Sequence, residues 1–326
     1  MACYHPITAY NIAPQGEKKE LVFSSAKALE HGPLHPVVLP CRKCIGCRLE
    51  YSRQWANRCM LELPYHESSF FLTLTYDDEH LPRSYSADPE TGEILAPSAP
   101  LVKRDLQLFF KRLRKNTGQK LRYMACGEYG EQTFRPHYHA IVFGLRLDDL
   151  VPYKASRQGY QYFNSATLDK CWTDENGILK GYIVAGAVSW DTCAYVARYI
   201  VKKQMGPGSS DVYAQLGLTP EFSVMSRRPG IGRQYYEDHP EIWDYDKINI
   251  STLTGGRSFP HPKYLQHLYE IDEPESAREL ADKRYLLAIR DINHKKRLTD
   301  KQYSDILIDM ERAHINRARK LIRNII

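Results

Sequence analysis

The segment Phe70-Phe71-Leu72-Thr73-Leu74-Thr75-Tyr76 alternates in side-chain character with a period of two from Phe71 onward. Only extended backbone sends every second side chain to one face. Thr73 and Thr75 therefore share one side of a strand, and Leu72, Leu74 and Tyr76 the other. An insertion from Pro82 to Pro100 follows, with a hairpin turn expected at Glu90-Thr91-Gly92-Glu93. The period then changes. Val102, Leu106, Phe109, Phe110 and Leu113 recur at helical spacing, and Gly118 stops the pattern, which predicts a helix over Leu101–Thr117. Leu121–Cys126 and Tyr138–Phe143 read as neighbouring strands, joined through Gly127-Glu128-Tyr129-Gly130 and a short loop; Tyr182–Ala185 reads as another strand. This order predicts an α+β fold, with a central antiparallel sheet and flanking helices.

Around that core, residues 1–47 read as irregular, with prolines at 6, 14, 33, 36 and 40. A helix is expected from about Ile45 to Leu63, and its Arg48, Arg53 and Arg58 make it a candidate DNA-facing surface. The expected organisation is a Cys-rich segment and helix over 1–64, a core over 65–240, and an extension with basic helices over 241–326. Net charge is +6. Residues 278–326 hold 13 Lys+Arg against 7 Asp+Glu, while the first 277 residues balance at 32 against 32, so the tail carries the whole excess. A basic helical tail suits nucleic-acid phosphates, and solvated helix surface is the plainer reading of it. The longest apolar run, near Tyr182–Val188, is too short to span a bilayer, and Met1–Pro6 lacks the features of a secretory signal. The expected setting is a cytoplasm, without a membrane partner.

Eight cysteines in such a setting argue against a disulfide framework. Cys41-Arg-Lys-Cys44-Ile-Gly-Cys47 has the short spacing that lets thiolates share one ion. The expectation is a structural zinc, with an iron–sulfur cluster as the alternative and Cys3, His5 or Cys59 as the fourth ligand.

Two further stretches carry chemistry. In Arg135-Pro136-His137-Tyr138-His139, alternation on a strand aims both imidazoles to the same side of the sheet. Glu128, on the preceding turn, is placed to add an oxygen ligand, and an open N,N,O set suits Mg²⁺ or Mn²⁺ on a phosphate oxygen. In Tyr195-Val-Ala-Arg198-Tyr199-Ile-Val-Lys202-Lys203, a spacing of four puts two phenols about one helical turn apart on one face, flanked by cations. Ser189 or Asp191 is expected to cap that helix and Gly206 to end it. A phenol is a poor nucleophile at neutral pH and needs a polarised electrophile or a nearby cation. The combination points to covalent chemistry on DNA.

These residues resemble the HUH endonucleases that start rolling-circle replication. Phe71–Tyr76 looks like that superfamily's first motif, His137-Tyr138-His139 like its second and Tyr195–Lys203 like its third. Pro40-Cys-Arg-Lys-Cys-Ile-Gly-Cys47, Ala125-Cys-Gly-Glu-Tyr-Gly130 and Ser226-Arg-Arg-Pro-Gly-Ile-Gly232 resemble the gokushovirus replication initiators of the Microviridae, over roughly residues 1–270. The resemblance implies the HUH nuclease fold, with Glu128, His137 and His139 on Mg²⁺ or Mn²⁺. It also implies Tyr195 and Tyr199 as nucleophiles, Lys203 or Lys202 steadying negative charge, and Arg198, Lys202, Arg227 and Arg228 on the DNA. Single-stranded origin DNA is the implied partner, in the cytoplasm of a bacterial host. No Gly-x-x-x-x-Gly-Lys-Ser/Thr stretch occurs, so unwinding is expected from a host helicase and extension from a host polymerase. A rolling-circle transposase or plasmid initiator would use the same site; a non-catalytic zinc-containing DNA-binding protein is the reading from a different class.

Overall fold

In the computed structural model, the described residues are 3–13, 20–87, 91–94, 97–130, 133–155, 159–202, 209–252 and 255–321; within the helices, side chains 198–202, 209–210 and 318–321 are outside the description. They divide into two compact units, one built from the chain up to Glu50 and from Pro274 onward, the other from Tyr51–Glu273.

The first unit is not irregular at its start. Strands β1 (Ile7–Asn11), β2 (Leu21–Val22) and β3 (Pro36–Leu39), with a short helix α1 (Ser25–Leu29), form a three-stranded antiparallel sheet ordered β2-β1-β3. Pro36 is tolerated because it opens β3, which lies at the sheet's edge. Ser24 caps α1 by accepting from the Lys27 amide. Helix α2 (Ile45–Glu62) starts in this unit and continues into the second.

The second unit is organised by a seven-stranded sheet in which every pairing is antiparallel. Its elements arrive as β4 (Ser69–Thr75), α3 (Lys103–Thr117), β5 (Arg122–Tyr129), β6 (Pro136–Phe143), β7 (Leu150–Ala155), β8 (Gln161–Ser165), α4 (Ala166–Asp169), β9 (Ile183–Ala187), α5 (Trp190–Lys202), α6 (Ser209–Gln215) and β10 (Phe222–Met225). The order across the sheet is β10-β5-β6-β4-β9-β8-β7. Helix α7 (Arg233–Asp238), a hairpin of β11 (Ile248–Thr252) and β12 (Gly255–Phe259), and α8 (Lys263–Asp272) complete the unit. The chain then returns to the first unit in α9 (Pro274–Arg297) and α10 (Tyr303–Leu321), the two helices of the basic tail.

Both faces of the large sheet are covered. On one, Leu72, Leu74, Tyr138, Ala140 and Val142 meet Leu106, Phe109, Phe110 and Leu113 of α3, the residues that the helical spacing singles out. Gly118 ends α3 in the left-handed region (φ 68°), its amide on the Arg114 carbonyl. On the other face, Phe71, Met124, Cys126, Ile141 and Phe143 pack against Ala56 and Cys59 of α2 and against Cys193, Val196 and Ala197 of α5. Gly181, with φ +146°, leads into β9; a Cβ there would lie 2.4 Å from the Thr75 carbonyl. The close passage of the chain beside β4 therefore requires glycine.

A buried charge cluster ties this second face together. Glu62, at the end of α2, pairs with Arg122 of β5 at 2.5 Å, with His66 at 3.0 Å, and accepts the Gly232 amide at 2.7 Å. Burial alone would raise the Glu62 carboxyl, but the His66 and Gly232 hydrogen bonds and the Arg122 charge outweigh it and hold it below the usual range. Stability from a depressed carboxyl is present above its unfolded value and is lost as pH falls through the folded one. Glu62→Gln should cost about 3 kcal/mol at pH 7, because Arg122 stays buried without its counter-charge. Denaturant midpoints of wild type and variant should converge below the ordinary carboxylate range; equal midpoints at pH 7 would refute a stabilising role.

Candidate active site

The β5–β6 register sets Glu128 directly opposite His137 and Cys126 opposite His139, while the β4–β6 register sets Thr73 opposite His139. Paired residues of antiparallel strands project to the same side, so Glu128, His137, His139 and Thr73 share the face covered by α5. Glu128 thus sits inside β5 rather than on a turn, which is a correction to the sequence reading. Pairing up to Tyr129↔Pro136 extends both strands past Gly127, because a ladder partner outweighs the weak strand preference of glycine.

His139 is fully buried and held on both ring nitrogens. Nε2 lies 3.0 Å from Oε1 of Glu128, and Nδ1 lies 3.0 Å from Oγ1 of Thr73. A carboxylate only accepts, so beside an ionised Glu128 the neutral ring donates from Nε2 and Nδ1 accepts the Thr73 hydroxyl. Phe71 stacks on the same ring, with centroids 5.7 Å apart and planes 4° apart. The sequence reading names neither Thr73 nor Phe71 as site residues. Their signal is the alternation of β4, which puts 71, 73 and 75 on one face, once the β4–β6 pairing is known.

His137 differs. Its Nδ1 is buried and makes no hydrogen bond, and the α-carbon of Gly130 passes so near that a Cβ there would stand 3.1 Å from Cε1. Burial, and then the neighbouring His139, pull its pKa below the ordinary imidazole value, so the ring stays neutral with a lone pair available. Two imidazoles and a carboxylate on one face, with one buried nitrogen unspent, form a donor set that fits a divalent ion. Among the described residues, only the four cysteines treated below bring three or more potential ligand atoms within 4.8 Å of one another. An ion shared by Glu128, His137 and His139 therefore requires those side chains to draw together.

Helix α5 lies over this face. Ser189 is its N-cap: Oγ accepts the Thr192 amide at 3.2 Å, the Ser189 amide returns to the Thr192 hydroxyl at 2.8 Å, and its carbonyl takes the Cys193 amide. Cys193, Val196 and Ala197 are buried on the sheet. Tyr195, half-buried, turns its ring edge-on to His139, with centroids 5.1 Å apart and planes at 79°, and edge-on to Phe71 at 6.1 Å. Tyr199 lies one turn further along the same helix. The side chains of Arg198, Tyr199 and Lys202, and all of Lys203 and Gly206, lie outside the described residues.

The candidate DNA-facing cations divide. Arg227 and Arg228 are exposed on the turn after β10, while the rest of their motif is spent on structure. Ile231 is buried on the sheet, a Cβ at Gly230 would strike the Tyr264 hydroxyl at 2.4 Å, and Gly232 (φ +78°) gives its amide to Glu62. Arg58 corrects the sequence reading of α2. Its guanidinium lies 4.1 Å from the Trp55 ring centre and 4.0 Å from that of Tyr264, and its Nε donates to the Ile231 carbonyl at 3.0 Å. Burial pulls its pKa down to about 10. Such a sandwiched cation serves packing rather than phosphate contact; Arg53 of α2 is exposed.

In the first unit, Cys3, Cys41, Cys44 and Cys47 bring their sulfurs within 4.8 Å of one another, and this set could hold a metal such as zinc. The fourth position falls to Cys3. His5 is engaged with Glu311 at 2.5 Å, and Cys59 belongs to the sheet core of the second unit, its sulfur 3.6 Å from that of Met124.

Comparison with known proteins supplies the family. The family model for the replication-associated protein ORF2 group matches residues 69–204, the stretch from β4 through α5 that builds the site. Replication-associated protein ORF2 of Spiroplasma virus 4 is 32% identical over 338 aligned residues, covering 99% of this chain and 98% of that protein. Replication-associated protein VP4 of Bdellovibrio phage phiMH2K is 33% identical, covering 86% and 80%. Replication-associated protein ORF4 of Chlamydia phage 1 is 31% identical over 51% of this chain and 38% of its own length. No solved structure matches significantly. With full-length similarity to the first of these relatives, this chain belongs to the replication-associated proteins of gokushovirus-type phages.

Proposed function

We propose that this chain is a rolling-circle replication initiator that nicks and rejoins single-stranded DNA at the viral origin through a 5′-phosphotyrosine. The observation that carries the reading is Tyr195 set against His139, on the sheet face that also bears Glu128 and His137. A divalent ion, Mg²⁺ or Mn²⁺, held by Glu128, His137 and His139 would withdraw charge from the scissile phosphate. Thr73 would then fix the His139 ring from its far nitrogen, as outer partners of ligating histidines do. The phenol oxygen of Tyr195 or Tyr199 forms a bond to phosphorus, the bond to the 3′-oxygen breaks, and the proton leaves the phenol and ends on that oxygen. Lys203, or Lys202, offsets the negative charge that develops. The free 3′-OH serves a host polymerase as primer. The second phenol then attacks the regenerated origin, and the new 3′-OH attacks the first phosphotyrosine and closes a circle. A phosphoester replaces a phosphoester at every step, so no nucleotide hydrolysis is needed.

Covalent trapping tests this. Single-stranded DNA spanning the origin of the chain's own genome is incubated with the protein and Mn²⁺ or Mg²⁺, denatured, and the linked peptide is mapped. The expected product is 5′-linked DNA on a peptide containing Tyr195 or Tyr199, formed with the divalent ion and absent in chelator. An adduct at another residue, or cleavage that leaves no adduct, would refute the proposal.

A further inference from the structure

We infer that Cys3, Cys41, Cys44 and Cys47 form a closed, structural tetrathiolate zinc site, and that this site pins the beginning of the chain beneath the C-terminal helix α10. Zinc–sulfur bonds of about 2.3 Å in a tetrahedron require sulfurs roughly 3.8 Å apart. Here all four lie within 4.8 Å of one another, and the Cys41 and Cys47 sulfurs are 4.0 Å apart. A small contraction brings such a set onto one ion. The spacing speaks against the two other uses of four thiols. A four-iron cluster interposes irons and sulfides and so holds its cysteine sulfurs farther apart than one ion does. A disulfide needs an S–S bond of about 2.05 Å, roughly half the Cys41–Cys47 separation.

The surroundings are built for sulfur anions. The Cys41 amide points to the Cys3 sulfur at 3.2 Å, the Cys44 amide to the Cys41 sulfur at 3.3 Å, and the Tyr4 amide to the Cys44 sulfur at 3.4 Å. Amides aimed at sulfur favour thiolate and orient it, which is the outer support that metal-ligating groups need. Arg42 holds a left-handed backbone, φ 61°, and so turns the loop that returns Cys44 towards Cys41. With four protein ligands, no position stays open for water or substrate, so the site is structural.

The consequence for the fold follows from the two residues next to Cys3. The Tyr4 hydroxyl lies 2.7 Å from Nδ1 of His314, and the His5 ring lies 2.5 Å from Glu311, both on α10. Cys3 is the third residue of the chain, and among the described residues no strand or helix precedes Ile7 to hold it. A zinc–thiolate bond is what keeps residues 3–5 in place under α10. Loss of the ion frees that segment and removes the partners of Glu311 and His314.

The full-length protein, purified under reducing conditions, should carry one zinc per chain by elemental analysis. Replacing zinc with Co²⁺ should give sulfur-to-cobalt charge transfer and the strong visible bands of a tetrahedral tetrathiolate. Cys3→Ser should keep a metal but weaken and shift those bands, and Cys41→Ser with Cys44→Ser should lose it. Cobalt loading of the wild type needs no variant, so it decides the case even if a variant fails to fold. For the second half of the inference, zinc removal should expose α10 to limited proteolysis, with Tyr4→Phe giving a partial effect in the zinc-loaded protein. Protein without metal whose thiols remain free or form disulfides, an iron–sulfur absorption spectrum, or octahedral cobalt bands would overturn the site. Unchanged bands in Cys3→Ser would remove Cys3 from it, and unchanged proteolysis of α10 would overturn the pin.

Discussion

Tyr195→Phe combined with Tyr199→Phe should abolish the covalent protein–DNA adduct while leaving the fold intact. The loss is absolute in kind, because phenylalanine has no oxygen with which to attack phosphorus. The fold should survive because the ring contacts of Tyr195 with His139 and Phe71 belong to the aromatic carbons, which phenylalanine keeps. Removing a half-exposed hydroxyl costs at most about 0.5 kcal/mol. Adduct on denaturing gels and the melting midpoint, measured on the same preparation, separate the two effects. An adduct that persists in the double variant would show that the nucleophile lies elsewhere. The single variants ask why there are two phenols. One nucleophile suffices to nick, but it stays esterified while the next origin arrives, so finishing a circle requires a second acceptor. Each single variant should therefore retain some first-round nicking and lose multi-round release of circles. A single variant that makes circles at the wild-type rate would reduce that tyrosine to a packing residue.

What the sequence makes legible depends on how local the governing interaction is. The strand at β4 and the helix α3 follow from periods of two and 3.6 in a handful of consecutive residues, and both appear with the faces those periods dictate. The three-stranded sheet of the first unit escapes a linear reading. Its strands are two to five residues long, and β3 opens on a proline whose tolerance depends on its edge position. Glu128 looks like a turn residue because glycines flank it at 127 and 130, and only its partner strand shows otherwise. Arg58 illustrates the same limit for charge. Its neighbour Trp55 is three residues away, but Tyr264 and Ile231 come from distant segments, so nothing in α2 itself shows that the guanidinium is enclosed. The histidine pair is visible because strand alternation is local. The hydroxyl that orients His139 is not, because Thr73 reaches it only through the register between β4 and β6.

The second large effect is expected from the histidines and their carboxylate. His137→Ala should reduce nicking by roughly two or more orders of magnitude, the usual loss when one fixed electrostatic element is removed from the reacting phosphate. It is the cleaner of the two histidine substitutions. His137 has an unspent Nδ1, whereas His139 is enclosed by Glu128, Thr73, Phe71 and Tyr195, so His139→Ala also leaves a cavity and two polar partners unmatched. His139→Ala should therefore lower both nicking and the melting midpoint, and His137→Ala mainly nicking. The pH profile carries a sign that can be checked. Burial and the neighbouring His139 depress the His137 pKa, so the ring remains a neutral donor as pH falls past the ordinary imidazole value of about 6.5. Nicking should fail only at lower pH, where His137 takes up its proton. Glu128 separates a ligand from a mere support for His139. As a ligand, it shifts the Mn²⁺ requirement of nicking to higher concentration when it becomes Gln, because the substitution removes the charge and keeps an oxygen near Nε2. If Glu128→Ala shows the metal dependence of the wild type, the carboxylate only orients His139, and the ion rests on the two imidazoles and the DNA phosphate.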